Sequence, residues 1–328
     1  MTIYEFLLMK GFFIMKKIIA LVLVCILSLS TVVFANDFKD MPNDWSTAAL
    51  EAAVKNGLLT GDNGYIKASD NMTRAEMATI MVRACGATKE ADISAYTDVK
   101  TSDWFFASMA KAVAMGAFNG SGNGQLNPNN PITRQEAFVV LARVFGLDKN
   151  IEISEDALSS FKDAKDVATW AKDGVAAIVS QGYVAGSNGY IKPLDNISRA
   201  EFAVVMDRLV KYYIDDATAE IPTDGNVMMR VAPQTIENLA TDKMVILGDG
   251  IGDAKIEIKN ASIDNKLVVR GGADISVDGN FKDISIVCPN ILVSGDVKTI
   301  QKIYVGPDST FFINTILIGG EEVKNDAK

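Results

Sequence analysis

Two periodicities divide this 328-residue chain. Up to about residue 210, apolar positions recur at three- and four-residue intervals, as on one face of a helix. Beyond residue 226 the period changes. Short apolar segments that alternate with polar positions appear at 244–247, 255–258, 266–269, 274–277, 283–287, 290–293, 302–305 and 310–318, most of them separated by Gly, Asn or Asp. Strands of this length at spacings near ten suit a β-solenoid, although a small sandwich shares the signal. Between the two regions, 211–224 turns polar and reads as a connector.

The helical part repeats three times, a pattern that points to stacked or cyclic units. Phe38-Lys39-Asp40, Tyr96-Thr97-Asp98 and Phe161-Lys162-Asp163 open the units, which run on to Trp45, Trp104 and Trp170, the only three tryptophans of the chain. Twelve residues after each tryptophan comes a glycine, and each opens a G-x-x-x-G: Gly57 to Gly61, Gly116 to Gly120, Gly182 to Gly186. A second signature follows: Thr73-Arg74-Ala75-Glu76, Thr133-Arg134-Gln135-Glu136 and Ser198-Arg199-Ala200-Glu201. Each unit therefore predicts a helix–loop–helix. The first helix follows the tryptophan and stops at the glycine. The second opens on a capping box, with Met77, Ile80, Met81 and Ala84 behind it in repeat 1 and Phe202, Val205, Met206 and Leu209 in repeat 3. One such pair cannot bury its apolar face alone, so three should share a core.

Boundaries follow: repeats at 36–92, 93–150 and 151–212, a linker at 213–225, a β-solenoid at 226–320 and a polar tail at 321–328. The first 35 residues read as a secretory signal. Met15-Lys16-Lys17 is basic, 18–27 is apolar, and Val33-Phe34-Ala35 supplies a small-residue ending, so cleavage is expected after Ala35, with Met15 a candidate start. The competing reading is an uncleaved anchor, since 18–34 approaches the shortest membrane span. A lipoprotein signal fits less well, because Val24 precedes Cys25 where a small residue is wanted. Cleavage would leave 328 − 35 = 293 residues and no stable membrane span. The piece removed carries three of the 32 basic residues and one of the 41 acidic ones, so the net charge moves from −9 to 29 − 40 = −11.

Composition narrows the chemistry. The chain has no histidine, which excludes a Ser-His-Asp or Cys-His catalytic unit and any imidazole-dependent zinc site. No basic tract with interleaved aromatics suggests nucleic-acid binding. Cys25, Cys85 and Cys288 form no C-x-x-C pair, and the last two sit in apolar patterns that suit buried free thiols. Asp62-Asn63-Gly64 resembles a fragment of a calcium loop, but too few ligands follow at the required spacing. No metal or cofactor is expected.

The triplicated F-x-D, W, G-x-x-x-G and T-R-A-E pattern over 38–210 resembles three S-layer homology repeats. Departures are light: Tyr96 replaces Phe, Gln135 replaces Ala and Ser198 replaces Thr. The resemblance implies a pseudo-threefold helical bundle, non-covalent anchoring of an exported protein to a secondary cell-wall polysaccharide, often pyruvylated, and a Gram-positive cell surface. The run from Gly248-Asp249-Gly250 to Val268-Val269-Arg270-Gly271-Gly272 is similar to small right-handed β-helix modules found beside such repeats. S-layer or other surface proteins are further partners implied.

For an anionic sugar, Arg74, Arg134 and Arg199 are the candidate carboxylate ligands, placed at the first helical position beside orphan N–H groups. Trp45, Trp104 and Trp170 can lie against a sugar ring or pack at the helix heads. Asp40, Asp98 and Asp163 can accept from sugar hydroxyls, steady the arginines or cap helices. The capping-box Thr and Glu residues are expected to be structural. The competing class is a wall-targeted enzyme acting on polysaccharide, with candidate acids Asp249, Asp253, Glu257, Asp264 and Asp274 in the C-terminal part.

Overall fold

A computed structural model describes residues 38–150, 156–233, 235–313, 315–318 and 321–324. The expected secretory segment at 1–35 and the last four residues of the expected polar tail at 321–328 lie outside the described residues. Among these, no helix is long and apolar enough to cross a membrane.

Among the described residues, six α-helices form the first part: α1 (Thr47–Lys55), α2 (Arg74–Cys85), α3 (Phe106–Ala114), α4 (Arg134–Val144), α5 (Lys172–Ser180) and α6 (Arg199–Leu209). The pairing is between repeats rather than within them. Helix α2 packs on α3, α4 on α5, and α6 on α1, so the three units close a ring. Their shared core includes Leu50, Met77, Met81, Met109, Phe138, Leu141, Ile178 and Phe202. The two glycines of each G-x-x-x-G do different jobs. Gly57, Gly116 and Gly182 end the first helices at positive φ in open space. At Gly61, Gly120 and Gly186 a Cβ would strike the ring of Phe38, Tyr96 or Phe161, so the aromatic of the F-x-D motif lies flush against bare backbone.

The ring is sealed at its centre by a triangle of backbone bonds. Met72 N–H donates to Ile197 O, Ile197 N–H to Ile132 O, and Ile132 N–H to Met72 O, at 2.9–3.1 Å. Each second helix starts beside this triangle.

The second part is a parallel β-solenoid. Helix α6 leads almost at once into β1 (Tyr212–Ile214), which pairs in parallel with β2 (Val227–Met229). The expected linker at 213–225 thus opens inside the sheet. After β3 (Ile236–Glu237), β4 (Ala240–Thr241) and β5 (Val245–Leu247), three long bent strands follow: β6 (Lys255–Val269), β7 (Asp274–Ile286) and β8 (Leu292–Val305). Each of these takes in two of the short segments expected from the alternation, because backbone pairing continues around the corners with a register shift or bulge. Strand β9 (Thr310–Ile313) pairs with β8, and β10 (Thr315–Ile318) forms a hairpin with β11 (Glu321–Lys324). Parallel register stacks like on like: Val245, Leu267, Ile284 and Ile303 form one column, and Ile256, Ile275, Val293 and Phe311 another. These columns make a second, separate core.

The solenoid docks on the C-terminal ends of the bundle helices, where unpaired carbonyls and the negative dipole ends favour cations. Among the described residues, three part-buried or buried basic side chains meet them, and the more exposed Lys302 reaches Asn150 O at 3.0 Å. Arg270 donates from Nη1 to Val144 O at 2.9 Å and from Nη2 to Met115 O at 2.9 Å, while its Nε reaches Asp249 at 2.6 Å. Arg230 donates to Asn56 O and Arg83 O and is paired with Asp215. Lys266 donates to Gly146 O at 2.8 Å and Lys149 O at 2.9 Å, with Asp283 at 3.1 Å. Cys85 and Cys288 are both buried free thiols at this joint. Burial pushes the Cys288 thiol up to about 11 and raises that of Cys85 further still, so both stay protonated at neutral pH.

Arg270 is the strongest test of this joint, because its side chain is only 1 % exposed and Asp249 is 14 % exposed. Arg270→Ala strands a half-desolvated carboxylate and two helix carbonyls and should cost about 3–5 kcal/mol, read as a lowered denaturation midpoint. A loss below about 0.5 kcal/mol would mean that the two parts do not depend on this contact.

Candidate functional site

The capping boxes form as expected, but each glutamate does two jobs. In α2 the Glu76 carboxylate accepts from Thr73 N–H through Oε2, while Thr73 Oγ1 accepts from Glu76 N–H. The other oxygen, Oε1, is 3.0 Å from Nη1 of Arg199, one repeat away. Glu201 does the same with Ser198 and with Arg134 at 2.7 Å, and Glu136 with Thr133 and, more loosely, with Arg74 at 3.6 Å. Three arginine–glutamate contacts thus run around the ring, each crossing a repeat boundary.

The arginines are largely buried and partly committed. Their Nε groups donate to backbone carbonyls of the neighbouring repeat: Arg74 to Leu126, Arg134 to Ile191, Arg199 to Ile66, all at 2.9 Å. Desolvation lowers the Arg74 pKa, against the pull of Glu136 and Asp98. The helix N–H groups expected to be orphaned beside them are not free. Arg74 N–H donates to Asn130 O and Ala75 N–H to Pro128 O, and the same pair of bonds recurs at α4 and α6. Closing the ring consumes these donors, so an anion has no bare helix terminus here. Among the described residues Nη2 of each guanidinium makes no hydrogen bond, and neither does Nη1 of Arg74, 3.6 Å from Glu136.

Asp40, Asp98 and Asp163 also serve the backbone. Each accepts from two successive N–H groups: Asp40 from Ile66 and Lys67, Asp98 from Leu126 and Asn127, Asp163 from Ile191 and Lys192, at 2.6–3.0 Å. The second residue of each pair has φ between +52° and +55°, a left-handed conformation that Asn tolerates and Lys adopts at a cost. The aspartates therefore fix this turn instead of capping helices.

The tryptophans stand out from this closed network. Trp45, Trp104 and Trp170 are 66 %, 66 % and 61 % exposed, very high for the largest apolar side chain. Grooves lie between repeats. One of about 500 Å³ brings Trp104 of repeat 2 together with Arg199 of repeat 3 and Glu76, Arg83 and Lys67 of repeat 1. Another of about 670 Å³ brings Trp170 of repeat 3 together with Arg74 of repeat 1 and Glu136, Arg143 and Asn127 of repeat 2. The third boundary carries the corresponding set: Arg134 on Glu201, Arg208 on the Tyr183 carbonyl, and α1, which Trp45 precedes, packed on α6.

Arg83, Arg143 and Arg208 were not singled out from the sequence. They donate to Leu58 O, Ala117 O and Tyr183 O, holding the loop that floors each groove. The signal was present, because each lies nine residues after the arginine of the capping box. A basic residue in a last helical turn reads as ordinary dipole compensation and drew no notice.

The solenoid acids are engaged. Asp249 pairs with Arg270, Asp253 with Lys89, Glu257 with Lys259 and Asp274 with Lys255, and Asp264 accepts from Ser262. A small cavity of about 170 Å³ at the joint is lined by Arg270, Asp249 and Cys288, whose polar groups already bond to each other or to helix carbonyls.

The double duty of the glutamates yields a test. Glu201→Ala removes both a cap and the closest inter-repeat ion pair and should destabilise by about 2 kcal/mol. Glu201→Gln, which can still accept at the cap, should cost about half that. Equal losses in thermal unfolding would show that the ion pair contributes nothing.

The S-layer homology domain matches this chain three times, at 37–78, 95–138 and 160–203. Among similar proteins, a surface-layer 125 kDa protein of Lysinibacillus sphaericus is 33 % identical over 65 % of this chain and 18 % of its own length. The S-layer protein sap of Bacillus anthracis is 23 % identical over 69 % of this chain and 28 % of its own. An amylopullulanase of Thermoanaerobacterium thermosulfurigenes is 27 % identical over 53 % of this chain and 9 % of its own. The chain thus spans less than a third of the length of each of these relatives. With the ring of capping boxes, the inter-repeat grooves and these matches together, the chain is a protein of three S-layer homology domains followed by a β-solenoid.

Proposed function

We propose that the protein is exported and held non-covalently on a Gram-positive cell wall by an anionic secondary polysaccharide, carrying the solenoid as a rigidly attached structural or display module. The observation that carries this reading is the set of exposed tryptophans: Trp104 and Trp170 each share a groove with two arginines from different repeats, and Trp45 heads the first helix at the corresponding third boundary. An apolar face stacks on a sugar ring, and the uncommitted edge of a guanidinium can take a carboxylate such as a pyruvate ketal. In a chain of net charge −9, local cations of this kind are needed to hold an anion at all. The similar surface-layer proteins support the location, and the pairing of every candidate acid in the solenoid supports a structural role for that part.

Arg74, Arg134 and Arg199 also hold the ring together, so their loss mixes binding with folding. The tryptophans are cleaner probes. Residues 36–328 should co-sediment with purified wall sacculi and fail to do so once the polysaccharide is stripped. Trp→Ala at all three positions should weaken sedimentation by about tenfold or more with the unfolding midpoint little changed. Equal sedimentation with stripped walls, or indifference to the tryptophans, would overturn the proposal.

A further inference from the structure

The three grooves repeat the same architecture but not the same charges. The Asp40, Asp98 and Asp163 carboxylates hold equivalent turns, and the side chain presented at the turn is Lys67, Asn127 or Lys192. All three have positive φ. Asn suits that backbone, whereas Lys adopts it only under strain, and strain at a ligand-facing turn points to a use for the side chain.

The two lysines differ in one neighbour. In the groove floored by repeat 1, Lys67 Nζ is 2.6 Å from Asp62, both residues being solvent-exposed. The pair holds the Asp62 carboxyl below its ordinary range, chiefly through the hydrogen bond from Lys67. The position equivalent to Asp62 in repeat 3 is Ser187, as the matching bridges Asp62–Tyr65 and Ser187–Tyr190 establish. Lys192 is exposed and forms no ion pair among the described residues. Four further charged positions correspond across the two boundaries, Arg83 with Arg208, Arg199 with Arg134, Glu76 with Glu201 and Asp70 with Asp195, while Asp207 stands beside Arg208 where Val82 stands beside Arg83. The groove floored by repeat 2 has Asn127 in place of the lysine and Ser121 in place of the acid.

We infer that the groove formed by repeats 3 and 1, with Lys192 as its specificity-determining cation, is the principal site for a carboxylate-bearing sugar, and that Asp62 restrains the groove of repeat 1 by occupying Lys67 as a built-in carboxylate. This rests on the groove-binding reading above and ranks the sites within it. A ligand carboxylate arriving at Lys67 must displace Asp62, whereas at Lys192 it displaces only water. The middle groove, with two arginines and no lysine, discriminates least between charged and neutral sugars.

The chain offers one tryptophan per groove as a reporter. Three variants, each keeping a single tryptophan and carrying Phe at the other two positions, should be titrated by fluorescence. The probes are a methyl hexosaminide bearing a 4,6-pyruvate ketal and the same glycoside without it. The Trp45 signal should saturate at about threefold lower concentration of the pyruvylated probe than the Trp104 signal, the scale expected of one exposed ion pair. Ser187→Asp should raise the Trp45 midpoint about threefold and Asp62→Ser should lower the Trp104 midpoint by a similar factor. Both positions are exposed, and circular dichroism with an unfolding midpoint checks that the folds match. Equal midpoints for Trp45 and Trp104, or exchanges that shift neither, would overturn the ranking while leaving the grooves as binding sites. No response at any tryptophan, or identical titrations with both probes, would overturn the groove-binding reading and the ranking with it.

Discussion

The bundle depends on one constraint: three helix N-termini converge, and their unpaired N–H groups must find acceptors away from water. Each repeat solves this for its neighbour. The first two N–H groups of α2, α4 and α6 donate to carbonyls of the next repeat around the ring, and the third is capped by its own Thr or Ser. The glutamate that completes each cap spends its spare oxygen on an arginine from the adjacent repeat. No repeat is satisfied alone, because two of the three N–H groups at the start of its second helix find their acceptors in another repeat. This makes the unit of folding the closed set of three, and it explains why Arg stands beside Glu in all three signatures: the two residues act across different boundaries.

The same closure creates the grooves. Because helices pair between repeats and not within them, each boundary exposes the side of one second helix beside the head of the following first helix. The tryptophan sits at that head, too far out to join the core. Two arginines reach the groove from opposite ends, one anchored to the N-terminal ring and one to the loop carbonyl at the groove floor. On the proposed reading, binding chemistry is a by-product of inter-repeat packing, and the sites should rise and fall with the integrity of the ring.

Much of this was readable from the chain. The triplication, the helix–loop–helix, the glycine stops and the capping boxes rest on local rules, and they appear where the local signals stood. What the sequence hid was mostly long-range. Nothing local tells that Glu76 faces Arg199, 123 positions away, or that the aspartates clamp a turn some 26–29 residues later. The solenoid strands were found but divided too finely, since a bulge at a corner looks like a turn in a polarity pattern while pairing carries on through it. Tyr212–Ile214 escaped notice for the opposite reason: three residues are too few to show an alternation.

The joint adds a mechanical consequence. Basic side chains of the solenoid lie on the carbonyl ends of helices from repeats 1 and 2. Those ends carry partial negative charge, and a guanidinium with an aspartate behind it satisfies several carbonyls at once. Helix α6 enters β1 after only two residues, which leaves little slack between the parts. A pull on the solenoid is therefore borne by the backbone of the bundle directly. Lateral tilting is resisted by the hydrogen bonds from these cations to helix carbonyls, whose loss would leave carbonyls unpaired in a partly dry interface. If the protein is held on a wall through its grooves, as proposed, such a joint fixes the direction in which the solenoid points, a property a polar linker could not confer.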